Sequence, residues 1–242
     1  HAKIISKERG ILCGLEIAKA VFLSVDPSLR IKRKFKDGNI IKNNQSILEI
    51  YGKKSSILTA ERTALNFLSL TTGIATKTNH VSKKIKNFKS KVCCTRKTIP
   101  NLRNLQKYAV LVGGGTNNRM NLSDEIFVKD NHLANTKNIV LLLQNVIKKN
   151  KAKKIITVEV DTLAQLKVIK HLKINRILFD NMQPSQIKKG IQLLPKNIET
   201  EASGNINEKN IVSYAKTGVS RISMGSLTHT ISNFDFSLEI KK

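Results

Sequence analysis

Residues 95–132, TRKTIPNLRNLQKYAVLVGGGTNNRMNLSDEIFVKDNH, bring Arg96 and Lys97, three consecutive glycines (Gly113 to Gly115), Arg119 and the cluster Lys129-Asp130-Asn131-His132 into one short stretch. Guanidinium and ammonium groups hold phosphates and carboxylates through charge-assisted hydrogen bonds, with no proton transfer required. Three adjacent glycines bury no side chain and cost chain entropy. Their presence predicts either a close approach to the backbone or an unusually tight turn.

Two carboxylates, Glu159 and Asp180, close the runs IITVEV and RILFD. Hard oxygen ligands beside a phosphate site suit Mg²⁺ rather than zinc. A carboxylate pair serves equally well as a partner for Arg or Lys, and the sequence leaves both roles open. ASGN at 202–205 and MGSLTH at 224–229 place small residues where a strand turns into a helix. Exposed N–H groups and the helix dipole at such a point hold a phosphate; the bland equivalent is an ordinary tight turn. No GxSxG, Walker A, GxGxxG or HExxH pattern occurs, so neither a covalent nucleophile nor a transition metal is indicated. His132 and His229 fall near strand ends, whereas Arg62, beside Glu61 on an apolar-striped helix, reads as an exposed surface residue.

The elements that must position these groups change character along the chain. Residues 1–54 alternate short apolar runs with turn signals, favouring strands with a short helix around Glu16–Val25. Ser56 to about Thr78 carries apolar residues at helical spacing. Beyond residue 90, the runs KVCCTRK, EIFVKD, IITVEV, RILFD, IETEA and RISMG alternate with helical segments, the rhythm of a parallel βα architecture. In that architecture chemistry collects at the C-terminal strand ends. The ends here carry Arg96-Lys97, Lys129-Asp130, Glu159, Asp180, Glu201-Ala202-Ser203-Gly204 and Gly225.

The chain has 242 residues, a formal charge of +26 and only 5% aromatic residues. Lysine runs at 83–86 and 148–154 read as a solvated face, because a nucleic-acid surface would add a motif or exposed aromatics. No specific nucleic-acid partner and no membrane span is expected, and Cys13, Cys93 and Cys94 form no disulfide framework or CxxC pair, which fits a cytoplasmic setting.

AERTALNF with SLTTGIATKT, then TRKT, GGGTNNRMNL, VKDNH, VEVDTLAQL, LFDNM, EASGN and SMGSLTH, in this order, resemble quinolinate phosphoribosyltransferase over nearly the whole chain. The resemblance implies an α/β fold: an N-terminal α/β sandwich over residues 1–90, rejoined by the tail 230–242, and an open βα barrel of about seven strands over 91–229. It implies that quinolinate and phosphoribosyl pyrophosphate give nicotinate mononucleotide, pyrophosphate and carbon dioxide, with Mg²⁺ as cofactor, in NAD biosynthesis. It assigns substrate binding to Arg96, Lys97, Asn118, Arg119 and Lys129, and Glu159 and Asp180 to the metal and ribose. Ser203, Gly204, Asn205 and Gly225 would cradle the 5′-phosphate, with His229 nearby. Lys97 and Lys129 are implied to act in catalysis alongside the two carboxylates. Arg62 is implied to reach the site of a neighbouring subunit, so a homodimer is expected.

Three departures from the family pattern stand out. Asn118 takes the place of a histidine, Asn205 the place of a second glycine, and a leading helix-and-strand segment precedes the equivalent of Ala2 in the family, which predicts an incomplete first domain. The alternatives to the enzyme are a paralogue with a different anionic ligand, kept open by Asn118, and a relic acting as a basic nucleic-acid-binding protein.

Overall fold

The computed structural model describes residues 1–129 and 138–240. Two units are formed: His1–His80, Lys97–Gly115 and Ser226–Lys242 make the first, and Val81–Arg96 with Thr116–Gly225 the second. Residues 97–115 and 226–229, grouped with the barrel by the sequence, thus pack within the first unit.

In the first unit, β1 (Ala2–Ser6), β3 (Arg30–Arg33), β5 (Ser46–Tyr51) and β12 (Phe236–Ile240) form an antiparallel sheet in the order β12-β1-β5-β3. A two-stranded sheet joins β2 (Gly10–Ile11) to β4 (Ile40–Ile41). Ile4 pairs with both Leu48 and Leu238, so the returning chain end supplies an edge strand. Helices α1 (Leu15–Val25) and α2 (Lys54–Lys84) pack on this sheet, with Phe22, Ile57, Ala60, Ala64 and Leu68 buried against Ile4, Leu48 and Ile50. Each large apolar side chain removed from water there contributes about 1.5–3 kcal/mol. The free N–H groups at the start of α1 are capped from a distance: the Asp37 carboxylate accepts from Gly14 N at 2.9 Å and Leu15 N at 3.1 Å. The unit is completed by α3 (Arg103–Val112), together with a single-turn helix at Ser226–His229.

The second unit alternates strands and helices. Six strands, β6 (Lys91–Cys93), β7 (Ile126–Val128), β8 (Ile156–Val160), β9 (Arg176–Asp180), β10 (Glu199–Ser203) and β11 (Arg221–Ser223), form a parallel sheet in the order β6-β11-β10-β9-β8-β7. The count among the described residues is six, against an expectation of about seven. Between them run α4 (Ile139–Lys149), α5 (Leu163–Ile169), α6 (Pro184–Gln192) and α7 (Ile211–Ala215), and α8 is the turn at Ser226–His229. The helix starts are locally encoded: Asn138 caps α4, Thr162 and Gln165 form a capping box at α5, and Pro184 opens α6.

Strand periodicity divides this sheet into two faces. One is apolar, with Val92, Val158, Val160, Ile177, Phe179, Ala202 and Ile222 buried. The register puts Thr157, Glu159, Arg176, Asp180, Glu199, Glu201, Ser203, Arg221 and Ser223 on the other. The middle of that polar face is nevertheless buried, Glu201 to 1% exposure and Arg176 to 6%, with Asn118 and Glu125 bonded against it.

Candidate active site

At the C-terminal strand ends of the second unit, four neighbouring strands present polar groups side by side. Lys129 follows β7, Glu159 is the penultimate residue of β8, Asp180 ends β9 and Ser203 ends β10. Glu159 pairs with Leu178, two residues before Asp180, so both carboxylates lie on the polar face. Lys129 Nζ is 3.7 Å from Glu159 Oε2 and 5.3 Å from the centre of the Phe127 ring. The Arg119 guanidinium lies over the same ring at 4.5 Å, with its Nε 3.9 Å from Glu125. Burial holds the Arg119 pKa below the usual guanidinium value; Arg96 lowers it further, while Glu125, Asp124 and Glu159 act the other way. Arg96 and Arg119 therefore share one electrostatic neighbourhood, which an anion between them would relieve.

The loop after β10 is fixed by backbone geometry. Gly204 has φ +91° and Asn205 φ +53°, the left-handed region in which asparagine is the best-tolerated residue after glycine. Asn181 N donates to Ser203 O at 2.9 Å, and the Asn205 side chain donates to Asn181 Oδ1 at 3.2 Å. Asn181 also donates to Asp180 at 2.8 Å, so the ends of β9 and β10 are laced together. A Cβ at Gly204 would meet the Asn181 side chain and lie 2.7 Å from its backbone N.

Residues 1–72 match the quinolinate phosphoribosyl transferase N-terminal domain, and residues 74–239 match the C-terminal domain. The chain belongs to the quinolinate phosphoribosyltransferase family. A probable carboxylating nicotinate-nucleotide pyrophosphorylase of Bacillus subtilis is 36% identical over 99% of this chain and 83% of its own. The Methanocaldococcus jannaschii protein of the same description is 39% identical over 98% of this chain and 85% of its own. Among solved structures, the nicotinate-nucleotide pyrophosphorylase from Francisella tularensis superposes with a TM-score of 0.95 at 38% identity, covering 99% of this chain and 85% of that one.

For this family member, Arg96, Asn118, Arg119, Lys129, Glu159, Asp180, Ser203, Gly204, Asn205 and Gly225 all fall in the second unit. Lys97 and His229 belong to the first, where the Lys97 carbonyl accepts from Thr228 Oγ1 at 2.7 Å and His229 Nδ1 lies 2.8 Å from Thr230 Oγ1. Arg62 is exposed on α2. Asp130, Asn131 and His132 lie outside the described residues. No described helix is long and apolar enough to cross a membrane.

The triple glycine meets both of its expected readings, a close approach and a tight turn, while the phosphate loops need a correction. What approaches the triple glycine is the protein itself: a Cβ on Gly113 would strike the Ala75 carbonyl and lie 2.7 Å from Thr78 Cβ, and one on Gly115 would lie 2.8 Å from Thr78 Cγ2. Gly113 and Gly115 let the end of α3 lie on α2, while Gly114 supplies φ +87° for the turn. The loops at 202–205 and 224–229 lack the strong helix dipole expected of them. After Asn205 the next helix starts only at Ile211, and the one after Gly225 is a single turn. Turn N–H groups and side chains remain to hold a phosphate there.

The sequence reading stopped at the strand ends and missed the charged middle of the polar face. Arg176 donates to Glu199 at 2.6 Å and to Glu125 at 2.9 Å, and Arg221 lies 3.5 Å from Glu201. The signal was present as period-two alternation: Arg176-Leu178-Asp180, Glu199-Glu201-Ser203 and Arg221-Ser223. Beside this network lies a cavity of about 260 Å³ lined by Asn118, Arg119, Glu125, Arg176 and Arg221 among others.

Proposed function

We propose that this protein is a pentosyltransferase that joins the phosphoribosyl group of phosphoribosyl pyrophosphate to quinolinate, releasing pyrophosphate and carbon dioxide and yielding nicotinate mononucleotide for NAD synthesis. The observation that carries the proposal is the row Lys129, Glu159, Asp180, Ser203-Gly204 on the adjoining strand ends β7 to β10, in a chain of this family. Both substrates are polyanions, and the row supplies cations, carboxylates and a glycine loop in that order.

Arg96, Arg119 and Lys129 hold the quinolinate carboxylates and the pyrophosphate, and the resemblance adds Lys97. Asp180 and Glu159 face the ribose hydroxyls, and Ser203, Gly204 and Asn205, with Gly225 and His229, take the 5′-phosphate. Glu159 and Asp180 are hard donors on adjacent strands, and no group of three His, Cys, Asp or Glu suited to a metal occurs among the described residues. That set fits Mg²⁺, which keeps several waters and is held by one or two carboxylates plus substrate phosphates. When bound, Mg²⁺ would offset charge on the pyrophosphate.

The ring nitrogen attacks the ribose carbon as the bond to pyrophosphate breaks, and the leaving group takes the electron pair. The protein's part is orientation and charge stabilisation, so no general acid or base is required at this step. The nitrogen is then cationic, and the carboxylate on the adjacent carbon leaves as carbon dioxide. Its electron pair stays on that carbon beside the positive nitrogen until a proton replaces it. Lys97 and Lys129 steer this loss or the reprotonation. Arg62 reaches the site of a second copy of the chain, making the homodimer the active unit. The three buried cysteines, none in a disulfide, suit a cytoplasmic setting.

Steady-state kinetics of Lys97→Ala and Lys129→Ala test these roles. Each is expected to lower kcat by about 10²–10³-fold, the usual effect of removing one transition-state contact. Unchanged turnover in both removes the assignment.

A further inference from the structure

Asn118, where the family pattern has histidine, does not face the polar site with a free side chain. Its Nδ2 donates to Glu201 Oε1 at 2.8 Å and to Ser223 Oγ at 2.9 Å, and its Oδ1 accepts from Arg221 Nη2 at 2.7 Å. Arg221 can only donate, which fixes the orientation of the amide. Ser223 Oγ donates to the same Glu201 oxygen at 2.6 Å, closing a ring of three hydrogen bonds. Arg221 Nη2 also donates to the Asn117 carbonyl at 3.0 Å. Both amide hydrogens and the amide oxygen are thus engaged by the protein.

From these contacts we infer that Asn118 is a positioning residue rather than a substrate ligand: it pins the strandless segment 117–119 to β10 and β11 and so sets the Arg119 guanidinium. The inference rests on the proposed activity for its kinetic consequence, though not for the network itself. Residues 117–119 have no strand or helix of their own. Their hold on the sheet comes through the contacts above, through the Cys94 thiol, which donates to Asn117 Oδ1 at 3.1 Å, and through the preceding Thr116, whose N donates to Val92 O of β6 at 2.8 Å. Asn118 is suited to the place because it is neutral and two-faced, offering donors to a carboxylate and an acceptor to a guanidinium. Glu201, buried to 1% exposure, meets these donors and the guanidinium groups of Arg221 and Arg176, at 3.5 and 3.9 Å.

The charged and titratable groups facing the amide and its partners are Glu201 and Glu199 from β10, Arg221 from β11, Arg176 from β9, Cys93 from β6, and Glu125 with Arg119 from the crossing loop. Cys93 stays a neutral thiol, since burial first, with Glu201 and Cys94 adding to it against Arg221 and Thr116, pushes it up to about 11.

Two variants test the assignment. Asn118→Ala removes the pin and is expected to raise KM for quinolinate about 10-fold, the effect of one lost anchoring hydrogen bond, with KM for phosphoribosyl pyrophosphate little changed. Asn118→Asp keeps the acceptor for Arg221 and sets a second carboxylate against Glu201, so the pair binds a shared proton. The raised folded-state pKa stabilises the fold at low pH and loses that contribution as pH rises. The Tm deficit of Asn118→Asp against the wild type, measured without substrate, therefore widens with increasing pH, and its activity falls over the same range. A Tm gap constant across pH, or wild-type kinetics in Asn118→Ala, overturns the inference. A wild type that never turns over quinolinate overturns the proposed activity, while the substrate-free Tm comparison still decides the network.

Discussion

Gly204 illustrates how little freedom a single residue in this site has. Its φ of +91° costs an alanine about 1–2 kcal/mol, and the new Cβ would also displace Asn181, which laces β9 to β10. Gly204→Ala is expected to lower Tm and to raise KM for phosphoribosyl pyrophosphate more than KM for quinolinate, as thermal denaturation and two-substrate kinetics will show. Unchanged affinity for phosphoribosyl pyrophosphate would remove this loop from phosphate binding. Asn205, with φ +53°, takes the left-handed conformation that asparagine accepts in place of glycine.

At the scale of elements, the triple glycine changes meaning once its neighbour is known. Gly113→Ala forces α3 away from the Ala75 carbonyl of α2 and is expected to destabilise by about 1–3 kcal/mol, the cost of overpacking. Both KM values should stay near wild type, and a Tm at the wild-type value would contradict the packing role. The sequence could not show this, because GGG reads identically whether a ligand or a helix approaches it. The elements themselves were legible: the stripe Ile57, Ala60, Ala64, Leu68 located α2, the runs IITVEV and RILFD contained β8 and β9, and IETEA covered all of β10 but Ser203. The last turns of α2, through Lys83 and Lys84, were hidden by a polar run that dilutes the apolar period. The strand ends revealed Lys129, Glu159, Asp180 and Glu201, yet Arg176, Glu199 and Arg221 went unread because a buried polar face departs from the expectation that sheet interiors are apolar.

For the whole molecule, the positive charge and the site separate. Of the 17 acidic residues in a chain carrying +26, Glu125, Glu159, Asp180, Glu199 and Glu201 meet on or against one polar sheet face, where Arg176 and Arg221 pair with Glu125, Glu199 and Glu201, and Lys129 pairs with Glu159. The lysine excess therefore belongs largely to the surface, as the solvated face read from the sequence. The proposed homodimer gives a test at this scale. If Arg62 serves the neighbouring site, a 1:1 mixture of inactive Arg62→Ala and Lys129→Ala chains, allowed to exchange subunits, forms hybrids with one intact site each. Random pairing in a two-fold dimer then restores about a quarter of wild-type activity. No recovery in demonstrably mixed dimers would place Arg62 outside the partner's site. The most direct test of the account as a whole is the fate of quinolinate labelled in its 2-carboxylate and incubated with the protein, Mg²⁺ and phosphoribosyl pyrophosphate. The account predicts labelled carbon dioxide and nicotinate mononucleotide in equal amounts, both absent without phosphoribosyl pyrophosphate; a folded protein that forms neither product would contradict it.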